Sequence, residues 1–188
     1  MLCRSSLYMF KKITTLVIIF LIAFFQTAYA EKKHQPSPNA CVTQNIDQVR
    51  FVGTGKLRFL GMDIYRASLF ADAKSQNELK QFSLVLNYKK NIKGKAIAER
   101  SVYEMRKNGF KDEGKLNLFG TEMKRIFPDI KAGDELTGTA LADGTTVFCQ
   151  KGTELGRITD PEFTKHFFDI WLGQKTSVPK LRRQLLGL

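Results

Sequence analysis

The sequence predicts an α+β fold in which helices cover one antiparallel sheet. Segments with the alternation and the β-branched or aromatic content of strands come first, two amphipathic helical segments follow, and a second group of strands precedes the last helices. Tight turns separate the strands of the second group, which favours a meander over parallel crossover units. This order predicts an antiparallel sheet with its helices grouped against it.

The chain begins with a segment typical of a secretory signal peptide. Basic residues precede an apolar run over residues 13–25, and Ala28 and Ala30 form a small-x-small cleavage pattern. The run is shorter than the about 20 apolar residues that span a bilayer, so an uncleaved anchor is the weaker alternative. We predict a signal peptide over residues 1–30, a periplasmic or secreted location, a flexible N-terminal segment over residues 31–47 and one domain over residues 48–188.

The charge of the chain restricts the class of partner. Its formal net charge is +12, and three basic residues lie in the predicted leader, which has no acidic residue, so the mature chain would carry 12 − 3 = +9. The basic residues are spread along the chain without an aromatic-interleaved block, which argues against nucleic acid. Two interpretations stay open: a solubilising surface charge, or association with an anionic membrane surface. No pattern identifies a protein partner.

Two cysteines follow the predicted leader, Cys41 and Cys149. In an oxidising compartment an isolated pair tends to form a disulfide, which could stabilise so long a loop by about 4 to 5 kcal/mol. Two separate buried thiols are the alternative. His34 and His166 lie far from either cysteine, and no ligand spacing recurs, so we expect no metal site.

The first strands are predicted at residues 48–52, 56–60, 62–70 and 82–88, with turns or bulges at the glycines of "VGTG" and "FLGM". In the third segment both faces mix apolar and polar side chains, including Tyr65 and Arg66. An unpartnered buried polar group costs roughly 1 to 3 kcal/mol. If the neighbouring strands pair, Lys56, Arg58, Tyr65 and Arg66 can converge on one site. The alternative is a solvated hairpin face.

Helix signals follow the first strands. Residues 93–110 and 113–130 each carry an apolar stripe, the first ending at Asn108-Gly109 and the second at Pro128. Two more strands flank Ala142-Asp143-Gly144, and another turn lies at residues 151–152. Asp160 is then predicted to cap a Phe-rich helix that starts at Pro161, and a last short helix follows Ser177. His166 lies beside the Phe-rich stripe, where a structural role is expected.

The catalytic motifs of common enzyme classes are missing from the sequence. It contains no nucleophile elbow, phosphate loop, zinc spacing or nucleotide fingerprint. The cationic and phenolic side chains near Gly61 remain, and an Arg or Lys beside a Tyr hydroxyl can receive a carboxylate or an enolate-like oxygen.

Four segments resemble the bacterial chalcone-isomerase-like family: "GTGKLRFLGMDIYRASLF", "LNYKKNIKGKAIAERSVYEM", the run from "FPDIKAGDE" to "FFDIWLG", and "TSVPKLRRQLLG". The C-terminal run is the most specific, with a G-x-x-x-G-x-I hairpin before the Phe-rich helix. The resemblance implies an open-faced antiparallel β-sandwich whose large sheet is covered by helices, with a ligand cleft between them. Members include plant isomerases that cyclise chalcones, plant relatives that bind fatty acids without catalysis, and mitochondrial relatives that bind haem.

The resemblance also implies where ligand-binding residues lie. In the enzymes an Arg on the first hairpin strand polarises the substrate, and here it falls near Lys56 or Arg58. A Thr on the partner strand falls at Tyr65, and a Tyr and an Asn at the following helix fall near Lys93 and Arg100, so three of the four positions are changed. The fatty-acid-binding relatives keep an Arg and a Tyr on these strands, which this sequence fits better. The resemblance therefore implies a ligand-binding set and no catalytic residue: Lys56, Arg58, Tyr65, Lys93 and Arg100.

We expect a non-catalytic protein that binds a small hydrophobic acid, such as a fatty acid, by its polar end. One alternative is an isomerase or intramolecular lyase of the chalcone isomerase type, with Lys or Arg as the electrophile. Another is haem binding, for which His166 would be the one histidine beyond the N-terminal tail; no other cofactor is expected. A third is a core without a cleft, closed by Phe70, Phe82 and Tyr88.

Overall fold

Six strands and five α-helices make up the part of the chain that the structure, a computed structural model, describes: residues 35–75 and 79–188. The predicted signal peptide lies outside these residues. In chain order the elements are α1 (Ala40–Thr43), β1 (Val49–Phe59), β2 (Met62–Asp72), a 3-10 turn (Ala73–Ser75), β3 (Phe82–Tyr88), α2 (Gly94–Lys107), α3 (Glu113–Ile126), β4 (Glu135–Ala140), β5 (Thr146–Gln150), β6 (Thr153–Ile158), α4 (Pro161–Leu172) and α5 (Pro179–Leu186).

The strands form one antiparallel sheet in the order β1 to β6, and α2 and α3 are inserted between the adjacent strands β3 and β4. The predicted α+β class and the meander of the last three strands are therefore confirmed. Within the described residues, α2 to α5 all contribute side chains to one large apolar cluster, so they cover the same face of the sheet. None of the described helices is both long and apolar enough to cross a bilayer.

The two strands predicted at residues 48–52 and 56–60 are a single strand, β1, with an irregularity between Phe51 and Gly53. The glycines of this segment do not turn the chain; they let α5 approach it. A Cβ atom on Gly53 would lie 2.3 Å from the carbonyl oxygen of Gln184, and one on Gly55 would lie 2.6 Å from Leu181 Cδ1. Only glycine permits this close helix-to-strand packing.

The packed domain begins earlier than the predicted boundary at residue 48. Val42 and Ile46, both almost completely buried, form a second apolar cluster with Phe70 and Val85. Because Phe70 alternates with residues that face the helices, this cluster lies on the other face of the sheet. Of the two alternatives for the cysteines, the structure contains the disulfide: Cys41 is bonded to Cys149, with 5.7 Å between their Cα atoms.

Candidate functional site

A cleft of about 570 Å³ lies between the strands β1 to β3 and the helices that cover them. Aliphatic and aromatic side chains predominate in its walls. The residues that line it are Leu57, Arg58, Phe59, Ile64 and Tyr65 of the first hairpin, Leu86, Tyr88 and Ile92, the α2 residues Ala96, Ile97, Arg100, Ser101, Glu104 and Lys107, and Phe127, Leu136, Phe167, Ile170, Trp171, Ser177 and Val178. Phe70 and Phe82 do not line it, and the space is open rather than filled.

Two tyrosines and a tryptophan form the polar part of the cleft wall. Tyr65 is opposite Leu57 on one side and Tyr88 on the other, and the two phenol rings meet edge to face with centroids 5.5 Å apart. The indole Nε1–H of Trp171 donates to the Tyr65 hydroxyl over 2.8 Å. Among the described residues, no group accepts the Tyr65 hydroxyl proton, and the Tyr88 hydroxyl has no hydrogen-bond partner. Both phenols can therefore donate to a ligand.

Burial keeps these two phenols protonated. Burial, opposed by the Trp171 hydrogen bond and the charge of Arg100 and supported by the negative charge of Glu104, raises the pKa of Tyr65 to about 12. Burial and the neighbouring Tyr65 also raise the pKa of Tyr88. At neutral pH both groups are hydrogen-bond donors, suited to a carboxylate or carbonyl oxygen.

Glu104 is a buried carboxylate on α2 that borders the cleft, 5% exposed. It accepts a hydrogen bond of 2.7 Å from the Ser177 hydroxyl and forms an ion pair with Arg100. The Arg100 side chain is 69% exposed, and its guanidinium lies over the Tyr103 ring, 5.0 Å from the centroid. These contacts satisfy the charge of Glu104 and attach α2 to the segment that precedes α5.

Three exposed cations border the cleft where it meets solvent, namely Arg58, Arg100 and Lys107. Arg58 lies beside Asp63, with 2.9 Å between Nε and Oδ1, and donates to the Gly61 carbonyl. Lys107 has no carboxylate partner among the described residues. Strand β2 carries a bulge here, since Leu57 is opposite Tyr65 and Arg58 is opposite Asp63. Such a bulge re-aims the side chains of its own strand, and the consecutive residues Ile64 and Tyr65 of β2 both line the cleft.

Three of the five predicted ligand-binding residues meet at the cleft: Arg58, Tyr65 and Arg100. Lys56 and Lys93 do not line it. Lys56 lies next to Leu57 on an extended strand, so it points to the opposite face, where it pairs with Asp63 at 3.3 Å. Lys93 precedes α2 and pairs in solvent with Asp129 at 2.7 Å.

Sequence reasoning missed the cleft roles of Tyr88, Glu104, Trp171 and Ser177. An apolar stripe was predicted for this helix, whereas the polar residues Ser101 and Glu104 are buried beside Ala98 and Met105. Trp171 is buried in the core, and its indole N–H also donates to the Tyr65 hydroxyl. His166 packs against Phe110, with 4.5 Å between the centroids of the two tilted rings, and does not line the cleft. One signal was available: Ser101 and Glu104 follow Ile97 at helical spacing, which puts polar groups on the stripe that faces the sheet.

Comparison with known proteins agrees with this architecture. A family described as chalcone isomerase-like matches residues 32–187. An uncharacterized protein of Haemophilus influenzae is 29% identical over 137 residues, which are 72% of this chain and 67% of that protein. The crystal structure of the Arabidopsis thaliana fatty-acid binding protein AtFAP1 superimposes with a TM-score of 0.58 at 16% identity, covering 74% of this chain and 87% of that one. The chain therefore belongs to the chalcone isomerase-like family.

Proposed function

We propose that this protein binds a small hydrophobic acid, such as a fatty acid, in the cleft without catalysing a reaction. The observation that carries the proposal is the pair of buried phenols, Tyr65 and Tyr88, in the wall of a cleft that is otherwise mainly apolar. The likeness to a fatty-acid binding protein supports the same ligand class. The predicted signal peptide and the disulfide support a location outside the cytoplasm.

The walls and the phenols would have separate roles in binding. A cleft of about 570 Å³ is within the size range of small-molecule sites. Apolar surface removed from water contributes about 25 cal/mol per Å², so the tail of the ligand would supply most of the affinity. A hydrogen bond to a charged group is worth roughly 1.5 to 3 kcal/mol, so the phenols would orient the acid.

The cations support binding more than catalysis. An electrophilic catalyst must be free to polarise the substrate oxygen. Of the cations at the positions that the family resemblance implies, Arg58 and Arg100 each have a carboxylate partner, and Lys93 lies outside the cleft. Lys107, which has no carboxylate partner among the described residues, is exposed at the last turn of α2. Among the described residues that line the cleft there is no histidine, cysteine or methionine, and the two tyrosines are protonated donors rather than the tyrosinate that ligates haem iron.

Titration of the purified protein with a fluorescent fatty acid tests the proposal. We expect Tyr65→Phe to weaken binding about tenfold, because one charge-assisted hydrogen bond is lost. Arg58→Ala should weaken it to a similar or smaller extent. Tyr103→Phe is the matched control, since Tyr103 is 49% exposed on α2 and does not line the cleft. Unchanged affinity in both cleft variants, or cyclisation of chalcone above the spontaneous rate by the wild type, would contradict the proposal.

Substitution of Glu104 should change the affinity for a fatty acid in the opposite direction. Its negative charge repels a second carboxylate near Tyr65, and Gln retains an oxygen that can accept from Ser177. Glu104→Gln should therefore strengthen binding of a fatty acid several-fold and leave binding of the fatty alcohol of equal chain length unchanged. If Glu104→Gln changed the affinities for the acid and for the alcohol equally, the carboxylate of the bound acid would not lie near Tyr65.

A further inference from the structure

The tip of the first hairpin, defined here as residues 59–62, exposes a cluster of apolar side chains. Phe59, Leu60 and Met62 are 62%, 81% and 48% exposed. They are half of the six large hydrophobic residues that are exposed within the described chain, and they lie within four consecutive positions. Exposed apolar residues gathered at one point, rather than scattered singly, indicate a contact surface.

Leu60 is unfavourable for the free chain in two ways. It and Gly61 are the central residues of the turn, with φ of 48° and 79°. Two positive φ values are the pattern of a type I′ hairpin turn, in which Asn, Asp and Gly are preferred. A leucine there combines a disfavoured backbone with an exposed apolar side chain and packs into neither apolar cluster. Strain at such a position leads to a hypothesis of function.

Cations surround the hairpin tip. Lys56, Arg58 and Arg66 lie on the two flanking strands, and Lys89 and Lys90 follow β3; all are exposed. The backbone N–H of Lys89 donates to the Ile64 carbonyl over 2.8 Å, so these two lysines lie beside the hairpin. One acidic residue, Asp63, lies within the group and pairs with Lys56 and Arg58. Five cations and one carboxylate leave the surroundings of the tip strongly positive.

The hairpin tip adjoins the cleft. Arg58 and Phe59 border the cleft and are themselves largely exposed, so the cleft opens next to the tip. Leu60 and Met62 do not line the cleft. Any partner surface that contacts the tip would therefore also contact the opening of the cleft. Substitution of Leu60 or Met62 would leave the walls of the cleft unchanged.

We propose that the hairpin tip inserts into the surface of an anionic lipid bilayer and places the opening of the cleft against it. Apolar side chains at a convex point can enter the interface of the bilayer while the surrounding cations pair with lipid phosphates. A hydrophobic acid then passes between bilayer and cleft without crossing water. This exchange step rests on the proposed function, whereas membrane contact does not.

Vesicle sedimentation tests the membrane contact with the full mature chain. The double variant Leu60→Asn/Met62→Thr removes two of the three apolar side chains, leaves Phe59 at the cleft, and keeps the turn, because Asn tolerates positive φ. Leu118→Asn is the matched control, since Leu118 is 58% exposed on α3. We expect wild type and control to bind phosphatidylglycerol vesicles and not phosphatidylcholine vesicles, and the double variant to bind about tenfold more weakly. High salt should weaken wild-type binding.

A second measurement separates this proposal from the proposed function. A fluorescent fatty acid is loaded into anionic vesicles, and the rate of its transfer to the protein is compared with its affinity for the protein in solution. We expect the double variant to slow transfer about tenfold and to leave the solution affinity unchanged. Failure to bind the acid in solution would refute the proposed function alone. Lack of wild-type binding to anionic vesicles, as expected if the tip contacts a protein instead, or equal binding by the double variant, would overturn the membrane proposal.

Discussion

The two halves of the helix-covered face of the sheet are packed in opposite ways. Under α4, phenylalanine rings meet at short range: Phe148 and Phe163 each lie 5.2 Å from Phe167 between centroids, and Phe127 lies 4.8 Å from Phe148. Under α2, Ile97 and the polar residues Ser101 and Glu104 line the cleft, which remains open. The same sheet thus supports a filled core on one side and a ligand-sized space on the other.

This difference shows that amphipathicity and filling are separate properties of a helix. Both α2 and α4 have a stripe that faces the sheet, and the stripe fixes which side is buried. The volume and polarity of the residues on the stripe decide whether the buried space is filled. A buried carboxylate such as Glu104 adds nothing to a filled core, since burial of a charge is costly unless it is paired. Its presence on α2 supports the proposed binding role of that half.

Truncation within the aromatic half should have the largest effect on stability. Phe163 is completely buried, and its ring lies 5.1 Å from that of Phe119 and 5.2 Å from that of Phe167. Phe163→Ala should lower the free energy of unfolding by about 3 to 5 kcal/mol, measured by urea denaturation. The control Leu118→Ala, at an exposed position, should change it by less than about 1 kcal/mol. A loss as small as that of the control would mean that this half is not tightly packed.

Filling the α2 half should change binding rather than stability. Ser101→Leu places an apolar side chain in existing space, so we expect fatty-acid affinity to fall by more than about tenfold while the free energy of unfolding stays within about 1 kcal/mol. Thr121→Leu is the matched control: Thr121 is exposed on α3 and donates to the carbonyl four residues earlier, as Ser101 does. A large loss of stability with Ser101→Leu would show that the α2 half has no space to fill.

The smallest effect expected is a dependence of stability on alkaline pH. The pKa of Tyr65 is about 12 in the folded protein, above the ordinary value of about 10 for a tyrosine, so the folded state holds this proton more tightly. The free energy of unfolding should therefore fall as the pH rises from 10 towards 12. Relative to Tyr65→Phe, the wild type should lose about 1 kcal/mol between pH 9 and pH 11. Tyr88 is buried in both proteins, and burial is the main cause of its own raised pKa, so most of its contribution cancels. If the free energies of unfolding of the wild type and of Tyr65→Phe changed equally with pH, the result would contradict the burial of the Tyr65 hydroxyl.

Local signals in the sequence predicted most of the elements. The Asp160 cap is present as expected, with its carboxylate accepting from the backbone N–H groups of Glu162 and Phe163. The turns at Gly144 and Gly152 and the ends of α2 and α3 were also predictable, because each depends on neighbouring residues in the chain. The family resemblance placed Tyr65 on the cleft wall, which periodicity alone left open.

The remaining features depend on residues far apart in sequence. The continuity of β1 follows from the approach of α5 to Gly53, more than a hundred residues away. Lys56 does not line the cleft because of the register of the hairpin, since a shift of one residue moves a side chain to the other face of the sheet. The burial of Glu104 depends on Ser177, which is 73 positions later. None of these contacts leaves a local pattern, so the sequence could not reveal them.

The central claim is that the buried phenols receive the carboxyl end of a hydrophobic ligand. Native mass spectrometry tests it most directly, with the protein incubated in an equimolar mixture of a fatty acid and the alcohol of the same chain length. We predict that the wild type retains one molecule of the acid in preference to the alcohol and that Tyr65→Phe loses this preference. Retention of neither molecule by the wild type, or the same preference in both proteins, would contradict the claim.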